Sequence, residues 1–491
     1  MRFSSSVGAA VAFVALAAPA QALQYNVSLN SQVRMAFNGQ TGMTVSWNTY
    51  EQLSSPTVMW GCSPNQLVNK ATSDVSITYP TSLTYDNHVT ISGLKPNTKY
   101  YYMPLDMLKD QYTRGPYSFT TGRVAGDMTP YTAAVVIDMG TFGSEGLSTT
   151  PESGVAANNL LKPGQQTTIG SMTKSADSYE FVVHPGDMAY ADYWLKEEYT
   201  GYINVTMADG YKAYESILDA FYDELTPITT QKPYMVGPGN HEANCDNGGY
   251  KTWNTSICVP GQLNFTGYSN HFRMPSEKSG GVGNFWYSYD HGMTHYVIVD
   301  METDFGNGIS GPSEPISGPF GQTNEQYNWL ENDLKSVDRS VTPWLVVFGH
   351  RPWYTSGEVC LECQEAFEPL LDQYNVDLYM SGHNHYYERI APIANNVTDP
   401  NELNNPSSPW HIVNGAAGHW GGLDSFDTTM QNYSRFGLDS TEGIYGWSKL
   451  TFHNCTHMTH EYIASVNGTV LDTATLYKQR TCGVSNSTCD N

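Results

Sequence analysis

Two domains of different texture are expected of this chain, an N-terminal β-sandwich and a larger α/β domain, and three observations lead there. At 491 residues the chain is too long for one ordinary core. Between about Leu29 and Gly122 short alternating apolar runs are separated by Gly, Pro and Asn, the pattern of antiparallel strands joined by turns. From Pro130 onward apolar strand runs alternate with stretches of helical periodicity, which predicts sheets covered on both faces by helices.

Ahead of both domains, Arg2 precedes an apolar run from Val7 to Pro19 and then Ala20-Gln21-Ala22, a small-x-small cleavage pattern. This reads as a secretory signal peptide over residues 1–22, with the mature chain starting near Leu23. The run is too short to span a bilayer, and no later segment offers about twenty consecutive apolar residues. Secretion to the exterior or cell wall, without a membrane anchor, is therefore expected. Nine Asn-x-Ser/Thr sequons, at Asn26, Asn204, Asn254, Asn264, Asn396, Asn432, Asn454, Asn467 and Asn486, predict N-linked glycans. Eight cysteines in a chain bound for an oxidising compartment predict disulfides. Cys360 with Cys363 reads as a local bridge, because no second CxxC completes a zinc site, and Cys245 with Cys258 would close a short loop. The remaining pairing is open.

The first domain is placed at residues 23–125. Its strand signals are Gly42–Trp47, Pro56–Trp60 and His88–Ile91, and Leu94-Lys95-Pro96-Asn97-Thr98-Lys99-Tyr100-Tyr101-Tyr102 resembles the proline turn and tyrosine corner of a fibronectin type III-like sandwich. The second is placed at residues 130–478. Apolar strands are expected at Ala133–Ile137, Phe181–Val183, Tyr234–Val236, His295–Val299, Trp344–Phe348 and Val376–Met380, with helices around Ala213–Leu225, Asn324–Val337 and Glu365–Tyr374. Strand-like runs from Gly446 to Phe452 and through Thr473–Tyr477 would complete one of its sheets, leaving 479–491 as a polar tail.

A formal charge of −24 argues against nucleic acid as a partner, since such partners call for a basic patch. It does not exclude an anionic small molecule, because bound cations reverse the field of a site whatever the global charge.

Five of the expected strands run straight into polar, glycine-bearing islands: Asp138-Met139-Gly140, Gly186-Asp187-Met188-Ala189-Tyr190, Gly239-Asn240-His241-Glu242, Gly349-His350 and Gly382-His383-Asn384-His385. Any one of them is weak, since a lone Asp after a strand usually caps a helix and a lone His is usually structural. Together they supply what a hydrolytic two-metal centre needs, a bridging carboxylate with oxygen and nitrogen donors on either side. Glycines beside the donors let the backbone turn sharply out of a strand.

These five blocks, extended by Gly349-His350-Arg351-Pro352-Trp353-Tyr354 and Tyr387-Glu388-Arg389, resemble those of the purple acid phosphatases within the calcineurin-like metallophosphoesterase superfamily. The similarity covers nearly the whole mature chain and is strongest to secreted fungal acid phosphatases, some of which act as phytases. It implies a catalytic domain of αββα type, two sheets flanked by helices. Gly140 stands where the wider superfamily usually has a histidine, and Tyr190 is gained, which separates the purple enzymes from their phosphodiesterase relatives. The resemblance implies Fe(III) held by Asp138, Asp187, Tyr190 and His385, and a second divalent ion, zinc, manganese or iron, held by Asp187, Asn240, His350 and His383. Asp187 would bridge, a metal-bound hydroxide would attack phosphorus in line, and Asn240 and His241 would meet the substrate, His241 assisting the leaving group. His184 reads as structural.

One departure concerns the substrate side. Many members of the family carry one or two further histidines shortly after the His350 island, whereas none stands between Arg351 and Met380 here. Arg351, Tyr354, Glu358 and the Cys360/Cys363 pair occupy that stretch instead, which leaves the second acid/base residue open. A secreted phosphomonoesterase, with phytate an open substrate, is the leading expectation. A phosphodiesterase or nucleotide pyrophosphatase, or a glycoprotein binding module on a dead scaffold, are the alternatives. The sequence is silent on oligomeric state.

Overall fold

Alternation of inward apolar and outward polar residues builds the N-terminal sandwich. In the computed structural model, Arg34–Phe37, Met43–Thr49, Tyr85–Ile91 and Ser76–Ile77 form one antiparallel sheet, and Asn69–Thr72, Thr57–Gly61, Lys99–Pro104 and Tyr117–Thr120 form the other. Val45, Trp47, Val89 and Ile91 share one buried cluster with Val58, Tyr100, Tyr102 and Phe119. Tyr100 Oη accepts the Lys95 N–H at 3.0 Å, so the Leu94–Tyr102 stretch makes the tyrosine corner expected of it. The structure describes residues 32–105, 116–141, 161, 165–199, 203–243, 257–302, 324–418, 421–427 and 429–482. Residues 1–22, expected to form a signal peptide, Cys245 of the expected Cys245/Cys258 bridge, and Asn26, Asn254 and Asn486 lie outside them.

The second domain holds two mixed sheets. The six-stranded sheet runs Tyr234–Gly237, Phe181–Pro185, Tyr131–Val135, Gly446–Phe452, His457–Ala464, Val470–Tyr477, so the C-terminal strands complete it. The seven-stranded sheet runs Tyr287–His291, Thr294–Ile298, Trp344–Phe348, Leu378–Ser381, Trp410–Asn414, Tyr387–Ile390, Ser434–Leu438. Strand periodicity divides each central strand between two cores. Tyr296, Ile298, Val346, Phe348, Leu378 and Met380 face the other sheet, where Tyr296 meets Phe181 at 5.4 Å and Phe452 at 6.0 Å between ring centroids. Their neighbours Val297, Val299, Leu345, Val347 and Tyr379 pack outward onto Leu330 and Leu334 of the helix Glu325–Ser336 and Phe367, Leu370 and Leu371 of Leu361–Gln373. The helices Thr168–Lys174 and Gly210–Thr229 cover the outer face of the six-stranded sheet, through Ser171 beneath Trp447 and Phe221 beside His184. The order is helix, sheet, sheet, helix.

Disulfides join Cys360 to Cys363 and Cys455 to Cys482, the latter tying residues near the chain end to the hairpin turn of the six-stranded sheet. Cys62 is free and exposed. No described helix is long and apolar enough to cross a membrane. The six sequons among the described residues, Asn204, Asn264, Asn396, Asn432, Asn454 and Asn467, are all exposed.

Polar contacts weld the two domains. Arg34 Nε donates to the His271 carbonyl at 2.6 Å, Tyr102 Oη to the Thr230 carbonyl at 3.0 Å, and Tyr79 Oη and Thr81 Oγ1 to the Glu215 carboxylate at 2.6 and 2.7 Å. Burial pushes the Glu215 carboxyl up to about 7, against those two hydrogen bonds, which favour its ionised form. The ordinary value is 4.5, so the native state holds this proton more tightly than the unfolded chain does. The stability it contributes is complete below about pH 4.5 and is lost as pH rises through about 7. Glu215→Gln is expected to flatten the pH dependence of Tm over that window, removing a variation on the order of 3 kcal/mol. Thermal melts at several pH values read it out.

Candidate metal centre

Parallel strands deliver the islands to one edge. Tyr131–Val135, Phe181–Pro185 and Tyr234–Gly237 are parallel neighbours, as are Trp344–Phe348 and Leu378–Ser381, so their carboxyl ends open on common sides of the two sheets. Backbone bonds carry the pairing on into the loops, Gly140 N–H to the Met188 carbonyl at 2.7 Å and Gly382 N–H to the His350 carbonyl at 3.0 Å. The two loop sets lock where His383 N–H donates to Asp138 Oδ2 at 2.9 Å.

The backbone there is strained. Asp138, Asp187, Tyr190 and His383 have φ of 59°, 49°, 53° and 68°, the left-handed region that non-glycine residues avoid at about 1–3 kcal/mol each. Surrounding packing must hold them, and glycines make the room. A Cβ on Gly382 would collide with Asp138 Oδ2, and one on Gly239 with Asp187 Oδ1.

Seven side chains meet in consequence. Asp138, Asp187 and His385 place donor atoms within 4.8 Å of one another, and so do Asp187, His350 and His383, with Asp187 common to both groups. Tyr190 Oη lies 2.8 Å from Asp138 Oδ1, 3.3 Å from Asp187 Oδ2 and 3.0 Å from His385 Nε2, inside the first group. Asn240 Oδ1 lies 3.0 Å from His383 Nδ1, inside the second. His350 Nε2 points at Asp187 Oδ2 from 3.0 Å, yet neither ring nitrogen of this fully buried histidine makes a hydrogen bond.

Charge in the cluster calls for cations. Burial alone would raise the Asp187 carboxyl, but His350, His241 and His383 hold it well below the carboxylate range. Burial opposes charge on the imidazoles too, yet Asp187 and Asp138 push His350 up to about 9, and Asp424 and Asp138 push His385 up to about 10. Both rings are thus held toward their charged forms by neighbouring carboxylates. An orphaned imidazole, clustered carboxylates and a mixed oxygen and nitrogen donor set fit a pair of metal ions, whose binding would displace the ring protons.

His241 flanks the cluster. Its Nδ1 sits 2.6 Å from Asp192 Oδ2, its ring lies 4.4 Å from that of Tyr190, and its Nε2 is 3.9 Å from Asp187 Oδ2. Asp192 was missed from sequence, although it follows Tyr190 by two residues. Glu242 was quoted in its island without a role, and its buried carboxylate gathers the N–H groups of Asp187, Met188 and Gly239 at 2.9, 2.8 and 2.7 Å. Glu358 and Asp424, which approach His383 and His385, could be placed only by the fold. His184 lies on the far face of its strand, its Nδ1 2.8 Å from Tyr234 Oη, and burial drives its pKa down to about 3.

Comparison with known proteins agrees along the chain. The purple acid phosphatase N-terminal domain matches residues 30–121, the calcineurin-like phosphoesterase domain 158–387, and the iron/zinc purple acid phosphatase-like protein C domain 408–473. Acid phosphatase A of Cryphonectria parasitica is 40% identical, with 92% of each chain covered. An acid phosphatase of Aspergillus ficuum is 33% identical over 89% of this chain and 85% of its own. The structure of a purple acid phosphatase from yellow lupin seeds superposes with a TM-score of 0.64 at 23% identity, covering 91% of this chain and 74% of that one, which supports the fold. The chain belongs to the purple acid phosphatase family of calcineurin-like metallophosphoesterases.

Proposed function

We propose that this acid phosphatase hydrolyses phosphate monoesters at a dinuclear centre, with Fe(III) among Asp138, Asp187, Tyr190 and His385 and a divalent ion, zinc, iron or manganese, among Asp187, Asn240, His350 and His383. The observation that carries the reading is the sharing of Asp187 by two donor groups, with a buried phenol in only one of them. Two bound cations supply charge against the negative charge that develops on the phosphoryl and leaving oxygens. A phenolate is a hard anionic donor and suits the more highly charged ion. Burial, with Asp138 and Asp187, raises the Tyr190 phenol well above its ordinary range, so it ionises only against such a cation.

The remaining steps belong to the chain's own groups. Nε2 of His241 faces the cluster, where, as imidazolium, it donates a proton to the departing alkoxide, a contribution of about 10²–10⁴-fold. Asp192 on Nδ1 orients the ring. Asn240 brings a neutral amide to the second group, its Oδ1 3.0 Å from His383 Nδ1, where it would also meet the substrate. Secretion and N-glycosylation at the exposed sequons belong to the same reading, resting on the Val7–Ala22 segment and the disulfides.

Tyr190→Phe tests the proposal most directly. The purified wild-type protein is expected to carry iron and a visible absorption band, and the variant to lose the band while keeping its fold. A colourless, iron-free wild type would remove the Fe(III) assignment, as would a variant that kept the colour. Comparing a monoester with its diester analogue decides the reaction class, and equal or faster diester hydrolysis would favour the phosphodiesterase alternative.

A further inference from the structure

Beside the ligand candidates His383 and His385, this site has an acidic rim. Glu358 is pinned above the His383/His385 island, its N–H donating to Asn384 Oδ1 at 3.0 Å and its carbonyl accepting from Asn384 Nδ2 at 2.9 Å. Its Oε1 reaches to 3.8 Å from His383 Nε2. Asp424 stands over the neighbouring ligand candidate, its Oδ2 accepting the His385 N–H at 3.0 Å and lying 3.1 Å from Nδ1. The two segments are joined where Asp427 N–H donates to the Ser356 carbonyl at 3.2 Å. The side chains of Glu358 and Asp424 are 65% and 53% exposed, so both charges stand in solvent beside the cluster.

Asp424 is paired with the His385 ring, and the neighbouring arginine and lysine are engaged by other groups. Arg351 faces Glu358 but is buried and held two-point by Glu302, with Nε and Nη2 each 2.8 Å from its carboxylate. Lys196 lies on the other flank, over the ring of Tyr193, which packs edge-on against His241. An ester whose phosphoryl group is drawn to the cluster brings its other charges within a Debye length of Glu358 and Asp424, which approach His383 and His385 to 3.8 and 3.1 Å. Fixed carboxylates repel further phosphates there and attract an amine, over a range set by the Debye length. Discrimination of this sort needs a repulsive element as well as an attractive one.

We propose that Glu358 and Asp424 are specificity-determining residues that select against polyanionic esters and for monoesters whose leaving group is neutral or cationic. The inference rests on the phosphomonoesterase reading above. It makes phytate a poor substrate of this chain.

The test compares wild type, Glu358→Gln, Asp424→Asn, the double variant and Asp338→Asn, the last an exposed acid ahead of Trp344–Phe348, at the end of the strand opposite the ligand loops. Values of kcat/KM are measured for an aryl phosphate, phosphocholine and inositol hexakisphosphate at low and high salt. Inositol hexasulfate, which is not hydrolysed as a phosphate ester, gives the binding term alone as a competitive inhibitor. The double variant is expected to raise the hexakisphosphate-to-aryl ratio about 10-fold at low salt, lower the phosphocholine-to-aryl ratio about 3-fold, and tighten hexasulfate inhibition about 10-fold, with high salt shrinking all three. Ratios cancel any general effect on His383 or His385. Ratios within twofold of wild type, or an equal shift in Asp338→Asn, would overturn the proposal. Failure of the underlying reading looks different: the wild type would leave the aryl phosphate intact, and the rim proposal falls with it.

Discussion

Asp187→Asn is expected to lower kcat/KM for a phosphate monoester by at least about 10³-fold, some 4 kcal/mol of barrier, and to leave less than about one metal ion per chain. The carboxylate is fully buried and is the one residue common to both donor groups. Its Oδ2 lies 3.0 Å from His350 Nε2 and 3.3 Å from Tyr190 Oη, and its Oδ1 accepts the His241 N–H at 2.9 Å. An amide keeps the shape and one oxygen but removes the charge that two cations would share. Loss of fold is a separate matter, because the Asp187 N–H stays bonded to Glu242. A ligand that binds only the native state raises Tm in proportion to the logarithm of its concentration over Kd. Added metal should therefore raise the wild-type Tm and leave the variant's nearly unmoved. Elemental analysis, steady-state rates and melts with and without metal check the three statements. A variant that kept both ions and a rate within tenfold of wild type would remove Asp187 from the centre.

The donor residues were legible because each belongs to a short motif at a strand end, where local sequence decides local geometry. Asp138, Asp187, Asn240, His350 and His383 each follow an apolar run closely, and the runs are strands in the structure. The order of strands was not legible. Tyr131–Val135 pairs with Gly446–Phe452, through bonds such as Thr132 to Thr451, and nothing local to either segment names the other. The same limit hid the supporting groups. Asp424 reaches His385 and Glu302 reaches Arg351 only once distant segments are folded together. Left-handed φ at Asp138, Asp187, Tyr190 and His383 could not be foreseen either, because sequence signals that conformation through Gly or Asn, and here packing imposes it on other residues. The helices show the converse. Asn324–Val337 was expected and Glu325–Ser336 found, since apolar residues at helical spacing are a local signal. The Leu361–Gln373 helix begins before the expected Glu365 because Cys360 caps it, its Sγ accepting the Cys363 N–H at 3.2 Å, a capping role that periodicity does not show.

Asp86→Asn should destabilise the protein by about 3–5 kcal/mol, the usual effect of removing one partner from a buried ion pair. Arg34 and Asp86 are joined at 2.7 Å with side chains 4% and 3% exposed. They lie where the sandwich meets the second domain, since the same guanidinium donates to the His271 carbonyl and Asp86 faces His271 Nδ1 at 3.2 Å. Burial pulls Arg34 down to about 10, which still leaves it charged throughout the acid and neutral range. Burial would raise Asp86, but the His271 hydrogen bond and Arg34 hold it down to about 2, below its ordinary 3.8. The native state therefore binds this proton less tightly than the unfolded chain. The stability it contributes is present above about pH 3.8 and is lost as pH falls through about 2. An enzyme with this pair keeps its two domains joined in moderate acid, where Glu215, protonated and buried, is also at its most stabilising. Denaturant melts at pH 5 are expected to show the loss in Asp86→Asn. An Arg34→Met/Asp86→Leu double variant should lose less than the sum of its two single changes, because it leaves no charge unpaired. Strict additivity would instead mean that the two charges do not depend on each other, and that Arg34 acts through its other acceptors, the His271 and Gln32 carbonyls and Asn48 Oδ1.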